Sequence, residues 1–199
     1  REWLTQSARV LKDSGAIFVY GIHHYQCFIQ IELYKLNLKY RRQIIWHYEN
    51  GFSGYKHSPS ACYEPLLWFS KTDDYTYHTI REPYKSTQRL KNKITKNGKV
   101  WTPNPAGKMA GDVWSFPVLA GKRFSSEKVD HPTQKPLSIT NRIIEHFSNP
   151  DDLVLVPFAG SGTECLAAKR LGRSYIGFEV NDQFVKLAES RIHDPEVLI

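Results

Sequence analysis

The 199-residue sequence predicts an α/β fold with a mainly parallel sheet and one inserted basic segment. Residues 153–191 show an alternation of strand, helix, strand and helix, which is typical of a parallel sheet covered by helices on both faces. A glycine-rich turn at residues 158–162 joins the first of these strands to its helix. Residues 81–128 have little periodicity and contain four prolines, which predicts an irregular insertion.

The first part of the chain alternates in a similar way. Trp3, Leu4, Ala8 and Leu11 recur at helical spacing ahead of an Asp-Ser-Gly stop signal, so we expect a helix over residues 2–12. Short apolar runs bounded by turn residues follow. They predict strands at residues 16–20, 42–48 and 63–70, with a second helix at residues 24–36.

Regular spacing returns after Pro136. Isoleucines at helical spacing predict a helix that ends before the turn at Asn149-Pro150. The continuous apolar run that follows this turn predicts a buried strand. This strand covers residues 153–156. The elements after it are a helix at residues 163–171, a strand at 174–179 and a helix at 181–191.

Composition excludes several classes of protein. With 41% apolar and 24% charged residues, the chain resembles an ordinary globular protein, and no apolar run approaches the ~18 residues of a membrane span. Cys27, Cys62 and Cys165 are widely spaced, which favours reduced thiols in a cytoplasmic protein over a disulfide framework. The histidines and cysteines lack metal-ligand spacing, so we expect no metal site.

Positive charge is concentrated in the insertion. Residues 81–128 hold eleven lysines and arginines against three acidic residues, an excess of +8 in a chain of net charge +7. A solvated surface lobe would account for this excess, and so would a face that contacts phosphates.

The turn at residues 158–162 has the properties of a ligand cradle. Glycine allows close approach to the backbone, and the start of the following helix offers free N–H donors. The sequence Gly160-x-Gly162 lacks the third glycine of the dinucleotide motif, which disfavours a nicotinamide oxidoreductase. A tight strand–helix turn without a ligand is the alternative.

Glu179 lies at the end of the next predicted strand, about twenty residues after the glycines. An acidic side chain at this place can accept hydrogen bonds from both hydroxyls of a ribose. The alternative is an exposed carboxylate that caps the last helix.

These motifs resemble those of DNA amino-methyltransferases of the β motif order. The resemblance rests on residues 156–163 (Val-Pro-Phe-Ala-Gly-Ser-Gly-Thr), on Glu179 and on residues 131–136 (His-Pro-Thr-Gln-Lys-Pro). Residues 107–114 are similar to a segment often seen in adenine-N6 members. The resemblance implies a Rossmann-like fold that binds S-adenosylmethionine (SAM), with a target-recognition lobe before the cofactor loop.

The resemblance also implies roles for individual residues. Glu179 would bind the ribose of SAM, and Thr133 and Lys135 would hold its methionine end, although Lys135 could instead be a surface lysine. The cofactor-binding residues implied are Thr133, Lys135, Phe158, Ala159, Gly160, Ser161, Gly162, Thr163 and Glu179.

The sequence departs from the family pattern at two places. Val156 stands where the family usually has an aspartate, which removes one polar contact to the cofactor. The catalytic Asp-Pro-Pro-Tyr or Ser-Pro-Pro-Tyr is absent, so we expect the catalytic residues upstream of Arg1, in an N-terminal part that this chain lacks.

The pocket for a flipped target base would be bordered by Tyr20, Gly21 and Tyr63, and by the loop through Ser53, Tyr55 and His57. Core packing is an equal alternative for Tyr63. Contacts to DNA phosphates are expected from the basic lobe, at Arg89, Lys91, Lys93, Lys96 and Lys99.

We therefore expect three regions: the catalytic half of the core at residues 1–80, a target-recognition lobe at 81–128 and the SAM-binding half at 129–199. The expected function is adenine-N6 methylation of double-stranded DNA in a restriction–modification system. The alternatives are cytosine-N4 methylation, or a DNA-binding partner subunit that has lost catalysis. A homodimer and a cognate restriction endonuclease are possible partners.

Overall fold

The computed structural model describes residues 1–21, 24–50, 56–57 and 59–194. These residues divide into two compact units, one made of Arg1–Tyr77 with Asp112–Ile199, and a smaller one made of His78–Gly111. The helices are α1 (Glu2–Val10), α2 (Gln26–Lys35), α3 (Gln88–Lys91), α4 (Leu137–Phe147), α5 (Thr163–Arg170) and α6 (Asp182–His193), with a 3-10 turn at Lys122–Phe124. The strands are β1 (Ala16–Tyr20), β2 (Lys39–His47), β3 (Tyr63–Ser70), β4 (Arg81–Glu82), β5 (Ile94–Lys96), β6 (Lys99–Trp101), β7 (Lys108–Met109), β8 (Val113–Ser115), β9 (Leu153–Val156) and β10 (Ser174–Gly177).

The first sheet of the larger unit has the strand order β1-β3-β2-β8. β3 runs antiparallel to both β1 and β2, so β1 and β2 point the same way, and β8 is parallel to β2. Helices α1 and α2 cover one side, where Leu4 and Leu33 pack with Val19 and Phe69. The reversed strand β3 was not anticipated from the sequence.

The second sheet consists of the parallel strands β9 and β10, in register from Leu153 opposite Ser174 to Val156 opposite Gly177. Helix α5 connects them and is nearly all buried, because Ala167 and Ala168 pack against β9 and against helices α4 and α6. The other face of this sheet exposes Leu153, Leu155 and Ile176. The expectation of a sheet covered on both faces is thus wrong for the described residues.

Helix α4 packs against both sheets of the larger unit. Ile144 belongs to the core around α5, whereas Phe147 packs edge-on against Phe18 of β1 at 4.8 Å and against Trp68 of β3 at 4.7 Å between ring centroids. A helix with two apolar faces of this kind holds the two sheets in one unit.

The smaller unit contains short elements. β4 pairs antiparallel with β7, and β5 pairs antiparallel with β6 around the two-residue turn Asn97-Gly98. Both turn residues have positive φ, 51° and 71°, as a type I′ hairpin turn requires. The expectation of an irregular segment is therefore wrong for residues 94–101. Residues 112–128, which the sequence pattern grouped with this lobe, lie in the larger unit.

Within the part of the chain that the structure describes, none of the helices has the length and apolar character that crossing a membrane requires.

The turn before α5 depends on the absence of a side chain at Gly162. This residue has φ +72°, and a Cβ there would lie 2.7 Å from the Cβ of Ala188. We expect Gly162→Ala to lower the free energy of unfolding by about 3 kcal/mol, from a left-handed backbone and an overpacked contact. Denaturant unfolding measures this change.

Gly172 provides the matched control. It has the same φ of +72°, but a Cβ there would meet no atom within 4 Å. Gly172→Ala should cost about 1–2 kcal/mol, the backbone contribution alone. Equal destabilisation by the two variants would show that the contact with Ala188 is unimportant.

Candidate functional site

The glycine turn lies at the common edge of β9 and β10, where both parallel strands end. Phe178 N–H donates to the carbonyl of Val156 at 2.9 Å, and Ala159 N–H donates to the carbonyl of Phe178 at 2.8 Å. These bonds hold the turn against the segment that follows β10. Ligands of open α/β sheets bind at this kind of edge, outside the carboxyl ends of the strands.

Glu179 connects the two sides of this edge. One carboxylate oxygen accepts the N–H of Gly160 at 2.8 Å, and the other accepts those of Val180 at 2.9 Å and Asn181 at 3.0 Å. These backbone donors, the one at Asn181 first, lower the pKa of Glu179 below its ordinary value. The carboxylate is ionised at neutral pH and retains room for another donor, because two oxygens offer about four acceptor positions.

The motif at residues 131–136 packs directly on the glycine turn. A Cβ at Gly160 would lie 2.8 Å from Nε2 of His131, so the two motifs meet where the turn has no side chain. The His131 ring also packs against Phe184 of α6, with centroids 4.4 Å apart. Its Nδ1 accepts the N–H of the exposed Thr133 at 3.2 Å, and burial lowers the pKa of His131, which favours the neutral ring.

Ser161 and Thr163 face the protein interior. Their hydroxyls lie 3.1 Å apart, and the buried Arg191 donates to the Ser161 carbonyl at 2.5 Å and to the Thr163 hydroxyl at 3.1 Å. Gly162 is the N-cap residue that precedes α5, and Ala159 is buried. The side chains of Ser161 and Thr163 thus stabilise the turn from inside the protein. A ligand could approach the backbone of the turn instead of these side chains.

Exposed apolar residues lie close in sequence to Glu179 and to the glycine turn that it bonds. Phe158 is 65% exposed and Phe178 is 58% exposed, although Trp3 packs edge-on against Phe158 at 5.2 Å. Val180 is fully exposed. Exposed aromatic rings next to an ionised carboxylate suit a ligand that has a flat apolar part and hydroxyl groups.

Lys135 makes an ion pair that could not be foreseen from its motif. Its ammonium donates to the Glu64 carboxylate of β3 at 2.7 Å. The same ammonium lies 4.9 Å from the ring centroid of Tyr20 and 5.3 Å from that of Trp46. Both partners of the pair are partly buried, so they attract each other more strongly than a surface pair does. The first half of the chain and the motif at residues 131–136 meet at this pair.

The hydroxyl of Tyr20 is buried beside this pair. Among the described residues it has no hydrogen-bond partner. Burial raises the pKa of Tyr20 well above its ordinary value, and the charges of Glu164 and Glu64 raise it further. A buried hydroxyl of this kind marks a place where a polar ligand group would be favourable.

Glu164 is a second carboxylate that sequence reasoning missed. It lies in the first turn of α5, and burial raises its pKa, against the smaller opposing effects of its own backbone N–H and of Lys135. Acidic residues are common in the first turn of a helix, so the sequence carried no signal that this carboxylate is buried.

The other predicted neighbours of a target base are less close together. Gly21 N–H donates to the Pro65 carbonyl at 3.1 Å, which places it beside β3. Tyr63 pairs with His47 at the start of β3 and is 37% exposed, outside the buried core. Ser53 and Tyr55 lie outside the described residues.

The predicted DNA-binding residues differ in their surroundings. Arg89 donates to the Asn92 carbonyl at 2.5 Å and lies 5.8 Å from the Tyr84 ring, so it is engaged within the smaller unit. Lys91 ends α3, and Lys93 follows outside any element. Lys96 and Lys99 face each other on the β5–β6 hairpin. No group of three potential metal ligands occurs among the described residues.

Comparison with known proteins identifies similar chains. Type II methyltransferase M1.MboII of Moraxella bovis is 35% identical over 98% of this chain and 78% of its own length. DNA adenine methyltransferase YhdJ of Escherichia coli (strain K12) is 34% identical over 96% of this chain and 65% of its own length. The chain thus spans only part of these relatives.

Solved structures agree in fold. The M1.HpyAVI–SAM complex superposes with a TM-score of 0.70 and 25% identity, covering 97% of this chain and 81% of that one. PvuII DNA methyltransferase, which is cytosine-N4-specific, superposes with a TM-score of 0.71 at 18% identity, over 98% of this chain and 71% of its own, and shows likeness of fold alone. The predicted Rossmann-like methyltransferase fold is confirmed by these neighbours. A family model described as DNA methylase matches residues 1–190, and the chain belongs to this family of N6 and N4 DNA methyltransferases.

Proposed function

We propose that the protein transfers a methyl group from SAM to the N6 amine of adenine in double-stranded DNA. The observation that carries this proposal is the ionised carboxylate of Glu179 hydrogen-bonded to the glycine turn, beside exposed aromatic rings. The names of relatives support the adenine target, since YhdJ is a DNA adenine methyltransferase. Bound SAM would supply an electrophilic methyl group.

The residues at the turn suit the parts of SAM. Glu179 has an acceptor position left for a ribose hydroxyl after its three backbone bonds. Phe158 and Phe178 offer exposed apolar surface to the purine. The ammonium of Lys135 has three hydrogens, so it can keep its bond to Glu64 and also donate to the carboxylate of the methionine part.

Val156 favours a second candidate function. Its side chain is buried in the core around α5 and provides no polar contact to a ligand. A DNA-binding partner subunit without catalysis would tolerate this substitution. Cytosine-N4 methylation is a further alternative, because the family contains both kinds of enzyme.

Each of the three regions of the chain has its own role in this proposal. We assign cofactor binding to residues 129–199, the border of the target-base pocket to Tyr20, Gly21 and Tyr63 of residues 1–80, and DNA contact to the basic lobe. Cytoplasmic location and a cognate restriction endonuclease are part of the same proposal. A homodimer is supported by the exposed apolar residues on α2, which are Phe28, Ile31 and Tyr34.

The direct test is a titration of the full-length protein with SAM, followed by a methylation assay on unmethylated plasmid DNA. We expect saturable SAM binding and N6-methyladenine in the digested nucleosides, detected by mass spectrometry. N4-methylcytosine would replace the adenine assignment with the cytosine one. DNA binding without SAM binding or methyl transfer would favour the inactive partner subunit.

Glu179→Gln tests the ribose contact. We expect SAM affinity to fall roughly tenfold or more, because a hydrogen bond to a charged group contributes about 1.5–3 kcal/mol. Calorimetric titration of SAM into both proteins gives the ratio. Glu189→Gln, an exposed change on α6, is the control and should leave the affinity unchanged.

The lowered pKa of Glu179 also predicts that the free energy of unfolding depends on pH, and Glu179→Gln tests this dependence. The folded-state pKa of Glu179 lies below its ordinary value of 4.5, so the carboxylate stabilises the fold above that value. This contribution should disappear as the pH falls through the lowered pKa. Unfolding measured from pH 7 to pH 3 should therefore show the wild-type protein and Glu179→Gln converging at the acid end. A constant difference would contradict the role of the charge.

Lys135→Met separates cofactor binding from the ion pair. Methionine keeps the apolar stem but removes the ammonium, so we expect SAM affinity to fall roughly tenfold. Glu64→Gln retains a hydrogen-bond acceptor for Lys135 and should reduce SAM affinity less. Lys186→Met on the exposed side of α6 is the control. If Lys135→Met binds SAM normally but unfolds more easily, Lys135 is only the partner of Glu64.

A further inference from the structure

The β5–β6 hairpin of the smaller unit has two chemically different faces. Ile94 pairs with Trp101, Thr95 with Val100 and Lys96 with Lys99. Directly opposed residues share a face, and residues two positions apart along a strand lie on the same side. One face therefore carries Ile94, Lys96, Lys99 and Trp101, and the opposite face carries Thr95 and Val100.

The mixed basic and apolar face lies open to solvent. Trp101 is 60% exposed and Ile94 is 47% exposed. An indole and an isoleucine that keep about half of their surface in water gain less from folding than buried side chains do. Large exposed apolar groups next to charges are typical of binding surfaces.

The opposed lysines are a second observation that points to an anionic partner. Like charges directly opposite on a hairpin destabilise it. The hairpin contains no acidic residue that could offset Lys96 and Lys99. Residues 78–111 hold eight lysines and arginines against the single acid Glu82, so the smaller unit carries +7, the whole net charge of the chain.

We propose that the hairpin face formed by Ile94, Lys96, Lys99 and Trp101 enters the major groove of DNA as a two-stranded ribbon. The groove is wide enough for such a ribbon. The two lysines contact phosphates, and the apolar pair contacts base edges such as thymine methyl groups. This inference rests on the proposed function, and it assigns the reading of DNA to one face of one hairpin.

Other parts of the smaller unit are less suited to contact DNA than this face. Arg89 is already bonded to the Asn92 carbonyl. Val100, on the opposite face, is 61% exposed but has only Thr95 beside it, without a charge. A combination of charge and flat apolar surface is found only on the Trp101 side of this hairpin.

Variants on the two faces test the assignment. We expect Trp101→Ala to weaken binding of a labelled 30-base-pair duplex of randomised sequence roughly tenfold, whereas Val100→Ala changes it by less than about twofold. Both substitutions remove apolar side chains from the same hairpin, so a general destabilisation of the hairpin would affect binding equally. Trp101→Phe should retain most of the affinity.

Salt dependence tests the lysines. The double variant Lys96→Gln with Lys99→Gln should lower the slope of log affinity against log salt by about two, because each lysine neutralises one phosphate. The matched control is Lys12→Gln with Lys186→Gln, two exposed lysines of the larger unit outside the basic lobe, which should leave the slope unchanged.

Fluorescence gives a readout that does not depend on affinity. The chain has five tryptophans, and the change in emission on adding duplex should be largely abolished in Trp101→Phe. Unchanged DNA affinity, salt slope and emission in these variants would overturn the proposal and assign the hairpin to a protein partner. The proposed methyltransferase activity would stand in that case, since SAM binding and methyl transfer are measured separately.

Discussion

The carboxylate of Glu179 holds the candidate cofactor site together. It accepts backbone N–H groups from the glycine turn and from the segment after β10, so both sides of the sheet edge are fixed by one side chain. Neutral hydrogen bonds would hold this edge less tightly, since bonds to an ionised acceptor are shorter and stronger. The positions of Phe158 and Phe178 follow from this connection, because each is close in sequence to one of its ends.

A second connection relates this edge to the first sheet. The pair of Lys135 with Glu64 brings the segment before α4 to the start of β3, with the Tyr20 ring alongside. A partly buried ion pair has a geometry requirement that apolar packing lacks, so it fixes orientation more than it adds stability. The Phe147 contacts provide the apolar part of the same junction.

The sequence predicted most elements of the larger unit and less of their arrangement. Strand β9 was predicted with its observed bounds, because a short apolar run between a turn and a glycine loop allows few alternatives. The direction of β3 could not be predicted, since strand pairing depends on contacts between residues distant in the chain. The contact of His131 with Gly160 and the pairing of Lys135 with Glu64 also join residues distant in the chain, and so could not be predicted either. The β5–β6 hairpin was missed because three-residue strands are too short for a period, although Asn97-Gly98 is a hairpin signal.

The separation of charge between the two units has a kinetic consequence. The smaller unit carries the whole net charge of +7, and the remaining residues are neutral in sum. An electrostatic field from one small unit steers diffusional encounter with a polyanion and orients the protein before short-range contacts form. In the proposed complex with DNA, the association rate constant would be governed by residues 78–111, and the dissociation rate constant would reflect the short-range contacts made after encounter. A protein built in this way can change what it recognises, by substitutions in a 34-residue unit, without altering the edge of the sheet where Glu179 lies.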